Sequence, residues 1–188
     1  MKKAFGFIGI LLLGLAFGIA FGFWKIKNHS KEMPHNGPWT YTLEAGSQDE
    51  SLLNRAAIAR SGLFALPKSE VLYYMARQDT DGNELDASHV YEVQGQSPKA
   101  RYWSICLYDQ DMFLTKNEIN RFAFNLKTAQ PDSLGKFSFK VAAKAQTGKW
   151  LPTGASKNFV LCLRIYNPDK LVFEHPDITP LPNIKRID

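Results

Sequence analysis

Few residues in this chain have both the type and the spacing that chemistry needs. Cys106 and Cys162 are the only cysteines. Two thiols with no histidine near either one lack the ligand spacing of a zinc site. If their strands are adjacent and the compartment is oxidising, they can join as a disulfide; otherwise they are two separate buried thiols. His29, His35, His89 and His175 share no ligand spacing, and His89 beside Ser88 reads as a surface histidine. Asp79, Asp81 and Asn83 resemble the start of a calcium loop, but such a loop wants glycine at its sixth position and glutamate at its twelfth. Counted from Asp79, the glycine comes too early, at Gly82, and the twelfth residue is Val90, so a turn explains these residues better. Ser133-Leu134-Gly135-Lys136 matches S-x-x-K by letters alone, since it sits in a loop without the helix that motif requires. There is no G-x-S-x-G elbow, no H-E-x-x-H, no phosphate loop and no dinucleotide fingerprint. No metal and no cofactor is expected.

The elements that would position any site are mostly strands. Successive strand residues point to opposite faces, so a half-buried strand alternates. From Tyr102 to Tyr108, Trp103, Ile105 and Leu107 share one face; from Phe159 to Tyr166, Phe159, Leu161, Leu163 and Ile165 do the same. These are the expected central strands. Glu70–Arg77 and Ser88–Val93 read as strands joined in a hairpin across the Asp-Gly of Asp79–Asn83. Phe137, Phe139 and Val141 mark another strand, and Arg121–Leu126 alternates weakly. One helix is expected up to about Ser61, capped by Ser47 or Asp49, with Glu50 in its first turn and Gly62 as its stop. Prolines at 168, 176, 180 and 182 leave an extended tail packed along the domain. Six or seven strands with one helix imply a mostly antiparallel sandwich.

The chain has 188 residues, 45% of them apolar and 13% aromatic, enough for one cored domain and not a disordered one. Its net charge of +5 is spread among acids with no basic patch or motif, which argues against nucleic acid as a partner. Ala4 to Trp24 carries no charge, and about 20 apolar residues cross a bilayer core. Phe23, Trp24, Lys25 and Lys27 suit the interface that follows. A cleaved signal peptide is the competing reading. Gly18-Ile19-Ala20 offers small residues, but the apolar run exceeds the usual ~7–15 and continues to Trp24. The expectation is a single-pass inner-membrane anchor with the globular part on the periplasmic or outer side. That divides the chain into an anchor at 1–27, a spacer at 28–46 and a sandwich domain at 47–188.

Several separated segments, in order, resemble the domain-of-unknown-function 1214 family. They are Asp86-Ala87-Ser88-His89-Val90-Tyr91, Tyr102-Trp103-Ser104 through Leu107-Tyr108-Asp109, Asn120-Arg121, Gly148-Lys149-Trp150-Leu151-Pro152, and L-x-L-R-x-Y at Leu161–Tyr166. The resemblance spans roughly Leu52 to Arg186. It implies a β-sandwich of jelly-roll type, often joined to a second domain for which this chain has no room, and it brings no established reaction. At the matching motif positions stand Asp109, Asn120, Arg121, Trp150 and Arg164. Read as a ligand cleft, Arg121 or Arg164 would hold a carboxylate or phosphate bidentately and Trp150 would stack on a ring. Read structurally, Asp109 closes a turn and pairs with an arginine, while Trp150 plugs the end of the sandwich. The expected function is binding of a small ligand, carbohydrate or protein partner without catalysis. The alternative is a cell-envelope hydrolase acting on a carbohydrate or a small carboxylated molecule through Asp109 and the arginines.

Overall fold

The computed structural model describes residues 2–28, 33–61 and 65–188. Helix α1 runs Lys2–Asn28, and its segment Gly6–Ile26 has mean hydropathy 2.3 with none of it buried by the rest of the chain. Among the described residues it is the one helix long and apolar enough to cross a membrane; its composition suits an anchor or a signal sequence alike. Strands β1 (His35–Asn36) and β2 (Trp39–Thr42) follow, then helix α2 (Leu52–Ser61) and strand β3 (Val71–Ala76). After β3 come β4 (Tyr91–Gln96), β5 (Ala100–Asp109), β6 (Ala123–Asn125), β7 (Lys136–Ala142), β8 (Trp150–Pro152) and β9 (Phe159–Pro168). A short helix α3 (Lys170–Glu174) and strand β10 (Asn183–Arg186) close the chain.

The strands form two sheets. The larger has the order β1-β2-β3-β9-β5-β6 and the smaller β10-β4-β7-β8; among the described residues the one parallel pairing is β7 with β8. The two central strands read from alternation are neighbours, with Trp103 opposite Ile165, Ile105 opposite Leu163 and Leu107 opposite Leu161. All of these residues are buried, together with Phe159, Leu72 and Tyr74. From the smaller sheet, Tyr91, Val93, Phe137, Phe139, Val141, Leu151 and Ile184 enter the same apolar cluster. Ring contacts join the sheets: Trp103 to Phe137 with centroids at 4.5 Å, Phe124 to Phe139 at 4.6 Å and Tyr91 to Phe159 at 5.7 Å. Each large side chain so buried contributes about 1.5–3 kcal/mol, so this shared core holds the two sheets together.

Four expectations change. The hairpin is absent: β3 pairs with β2 and β9, whereas β4 pairs with β7 and β10 in the other sheet. The turn between them is real, because the Asp79 carboxylate accepts the N–H groups of Asp81 (3.0 Å) and Asn83 (2.8 Å). The chain leaving it crosses to the second sheet, which carries Tyr91 and Val93 into the core from the opposite side. The second difference is at α2, whose N-cap is Ser51: its Oγ accepts the Asn54 N–H at 3.2 Å, later in the chain than Ser47 or Asp49. Glu50 therefore lies just before the helix, where it accepts a bond from the Asn54 side chain; Gly62 lies outside the described residues. The third concerns residues 28–46, read as spacer, which supply β1 and β2, with Trp39 fully buried. The fourth is that the tail is not simply extended. It opens with helix α3, a second helix where the domain was expected to have one, and ends in β10, whose Ile184 enters the core. Trp39 Nε1 donates to the Pro182 carbonyl at 2.7 Å, and a Cβ on Gly95 would sit 2.8 Å from Pro182 Cα, so only glycine admits the tail there.

Candidate functional site

Arg121 and Trp150 are distant in sequence and meet in the fold. Asn117 starts the local geometry: its side chain accepts the Arg121 N–H at 3.0 Å and donates to the Arg121 carbonyl at 2.9 Å. Asn120 inside that turn takes φ +50, a left-handed conformation asparagine tolerates. The loop thus fixed sends the Arg121 guanidinium to the Trp150 carbonyl at 2.8 Å and over the Phe124 ring at 5.3 Å. Trp150 is itself set by β8, where its indole N–H donates to the Ala142 carbonyl at 2.9 Å. Beside it, Lys149 Nζ donates to the carbonyls of Ala129 and Gln130.

A shallow open groove of about 570 Å³ runs along these loops, lined among others by Asn120, Arg121, Phe124, Lys127, Gln130 and Lys149. Three of its lining residues are cations, and among the described residues none is Asp or Glu. A neighbouring groove on the outer side of β7 shares Gln130, Gly148 and Lys149. Arg121 spends one donor on Trp150, and a guanidinium has five. The groove can therefore offer fork-shaped donors and an ammonium to an anion, while Phe124, buried beneath Arg121, backs the guanidinium from the core side.

The remaining expected site residues lie apart from the groove. Asp109 ends β5, and its Oδ1 accepts the N–H groups of Asp111 and Phe113, each at 2.9 Å, closing the turn that places Met112 at φ +68. The turn half of its structural reading holds, while the arginine partner is not among its described bonds. Arg164 lies on the outward face of β9, where it donates to the Tyr108 hydroxyl at 2.8 Å and sits 5.5 Å from that ring. Despite considerable burial, its charged form is favoured by neighbouring Cys162 and Tyr108. Of the five, then, Arg121 and Trp150 touch, Asn120 flanks them, and Asp109 and Arg164 belong to other surroundings. Sequence reasoning missed Lys149 and Lys127; the only signal for Lys149 was its place beside Trp150 in a Gly-Lys-Trp run. Among the described residues no cluster of three or more His, Cys, Asp or Glu could hold a metal ion.

With the geometry in view, relatives place the chain. The family described as "Protein of unknown function (DUF1214)" matches residues 70–170. The chain belongs to the DUF1214 family. The matched range runs from the edge of β3 through β9 and so holds Asp109, Arg121, Trp150 and Arg164. Two solved structures share the fold. The VPA0106 protein from Vibrio parahaemolyticus is 22% identical with a TM-score of 0.63, covering 91% of this chain and 44% of its own. An uncharacterised protein from Burkholderia cenocepacia is 15% identical with a TM-score of 0.54, covering 87% and 38% respectively. The chain therefore spans less than half the length of either. No curated protein matches.

Proposed function

We propose that this DUF1214 chain is a membrane-anchored binding domain, facing the periplasmic or outer side, which takes a small anionic ligand in the groove at Arg121 without catalysing a reaction. The observation that carries this reading is the charge of the groove lining, which includes Arg121, Lys127 and Lys149 but, among the described residues, no Asp or Glu. Glu92 and Asp132 are carboxylates of the adjoining groove that Lys149 also lines. Cations gathered on one concave surface attract carboxylates and phosphates, and guanidinium forks bind both bidentately. The exposed apolar length of Gly6–Ile26 supports the anchor. Two sheets with one shared core support a sandwich of jelly-roll type as the architecture.

Titration of the full chain in detergent micelles with inorganic phosphate and with succinate tests the binding reading, with amide NMR shifts as the readout. Saturable shifts in the 119–130 and 148–150 loops, weakened at least fivefold by Arg121→Ala or Lys149→Ala, are the expected result. Shifts that are absent, or that both variants leave unchanged, refute the reading. Protease accessibility of the globular part in intact spheroplasts tests the orientation, and protection from external protease counts against it.

A further inference from the structure

The parity of the backbone ladder decides how Cys106 and Cys162 meet. The Leu107 N–H donates to the Phe122 carbonyl at 3.0 Å and the Leu126 N–H to the Trp103 carbonyl at 3.1 Å, so the odd-numbered residues of β5 turn their backbone groups toward β6. The even-numbered ones, Ser104, Cys106 and Tyr108, turn theirs toward β9. On β9, the Asn167 N–H donates to the Glu70 carbonyl at 2.7 Å, which turns odd positions toward β3 and even positions toward β5. Cys106 and Cys162 are register partners. They therefore form a rung that exchanges both N–H···O bonds, with Cα atoms about 5.5 Å apart. Both side chains leave on the face opposite Ile105, Leu161 and Leu163, away from the shared core.

A disulfide asks for Cα atoms roughly 4.4–6.8 Å apart and Cβ atoms at about 3.5–4.5 Å. The rung already meets the first condition. Facing Cβ atoms in a sheet lie at about 4.5–5.5 Å, and wider in hydrogen-bonded rungs than in the others. Closure from the wide end of that range draws them together by about 1 Å or more, which leaves the bond strained and easier to reduce. The two thiols also differ in access: Cys106 is half-buried, whereas Cys162 is fully buried.

We propose that Cys106 and Cys162 form a reversible disulfide across β5 and β9 on the outward face of the larger sheet. The oxidant is a disulfide donor, R–S–S–R, of the glutathione or dithiol-oxidoreductase class. The Cys106 thiolate attacks one donor sulfur, forming a mixed disulfide and expelling R–S⁻. The Cys162 sulfur then attacks Cys106 Sγ, forming the cross-strand bond and expelling the second R–S⁻. The two thiol protons go to the two leaving thiolates, so two protein thiols are oxidised as one donor disulfide is reduced. Burial pushes the Cys162 thiol up to about 12, partly offset by the neighbouring Arg164 charge, which makes Cys106 the first to react. The inference rests on strand register and on the unequal burial of the two thiols, and it stands apart from the ligand groove.

Its test uses the full chain in detergent micelles, held in excess oxidised glutathione, then alkylated under denaturing conditions and digested for mass spectrometry. A peptide pair joined through Cys106 and Cys162, reverting to two alkylated cysteines in excess reduced glutathione, is the expected result. Cys162→Ser should leave a glutathione adduct on Cys106, and Cys106→Ser should leave Cys162 unmodified; a melting curve on each variant verifies the fold. Should either variant fail to fold, the wild-type reaction decides alone. Unmodified thiols or unlinked adducts in the wild type overturn the proposal, as does a link that resists reduced glutathione.

Discussion

Replacing Trp103 with alanine tests the packing of one sheet on the other. Trp103 is wholly buried, sits opposite Ile165 within the larger sheet and stacks on Phe137 of the smaller at 4.5 Å and 29°. Its indole N–H also donates to Ser97 Oγ at 3.3 Å. Truncating a buried tryptophan removes its transfer free energy and leaves a void that a strand-bound backbone cannot close, a loss of about 3–5 kcal/mol. The aromatic pair contributes about 0.5–1.5 kcal/mol of that beyond area alone. Urea unfolding of the full chain in micelles, followed by far-ultraviolet circular dichroism, should show a lower midpoint with an unchanged slope. A cycle with Phe137→Leu should return the pair's coupling of about 0.5–1.5 kcal/mol. A loss below about 1 kcal/mol, or no coupling, would mean that these rings do not join the two sheets.

Two further outcomes follow from other parts of the chain. Asp109→Ala removes the acceptor of two backbone N–H groups and should cost about 1–2 kcal/mol by urea unfolding, whereas Asp109→Asn keeps a carbonyl acceptor and should lose less than half of that. Equal losses would point to the charge of Asp109 rather than its turn. The Cys162 thiol is raised by burial from 9.0 to about 12, so between those values the folded chain holds a proton that the unfolded chain has released. Stability is therefore full below about pH 9 and falls as pH rises toward 12. Melting curves under reducing conditions should show that decline, and Cys162→Ala should flatten it between pH 9 and 10, below the ordinary range of the tyrosines. An unchanged slope in the variant would remove Cys162 as its cause.

Much of the fold was legible because alternation reports burial directly. Trp103, Ile105 and Leu107 on one face, and Phe159 to Ile165 on another, could only satisfy their apolar side chains against a core, and they do. The β3–β4 hairpin failed because Asp-Gly and flanking alternation specify a turn and two strands without saying which sheet each strand joins. Ser47 and Asp49 lost the cap to Ser51 because several good capping residues stood close together and backbone position chose among them. In the candidate site, Arg121 and Trp150 were singled out as motif positions. That Lys149 and Lys127 share their groove had no local signature.

The long apolar helix, the two central strands and the faces those strands bury were legible in the chain because each depends on residue types at short, regular separations. DUF1214 membership was legible from separated segments that recur in order. Which strands are neighbours, that Cys106 stands across from Cys162 and that Arg121 reaches the Trp150 carbonyl emerge only once the chain has folded. Backbone hydrogen-bonding groups are the same along every strand. Pairing partners and register are therefore chosen by how whole faces pack, and a period of two residues says only which way a side chain points.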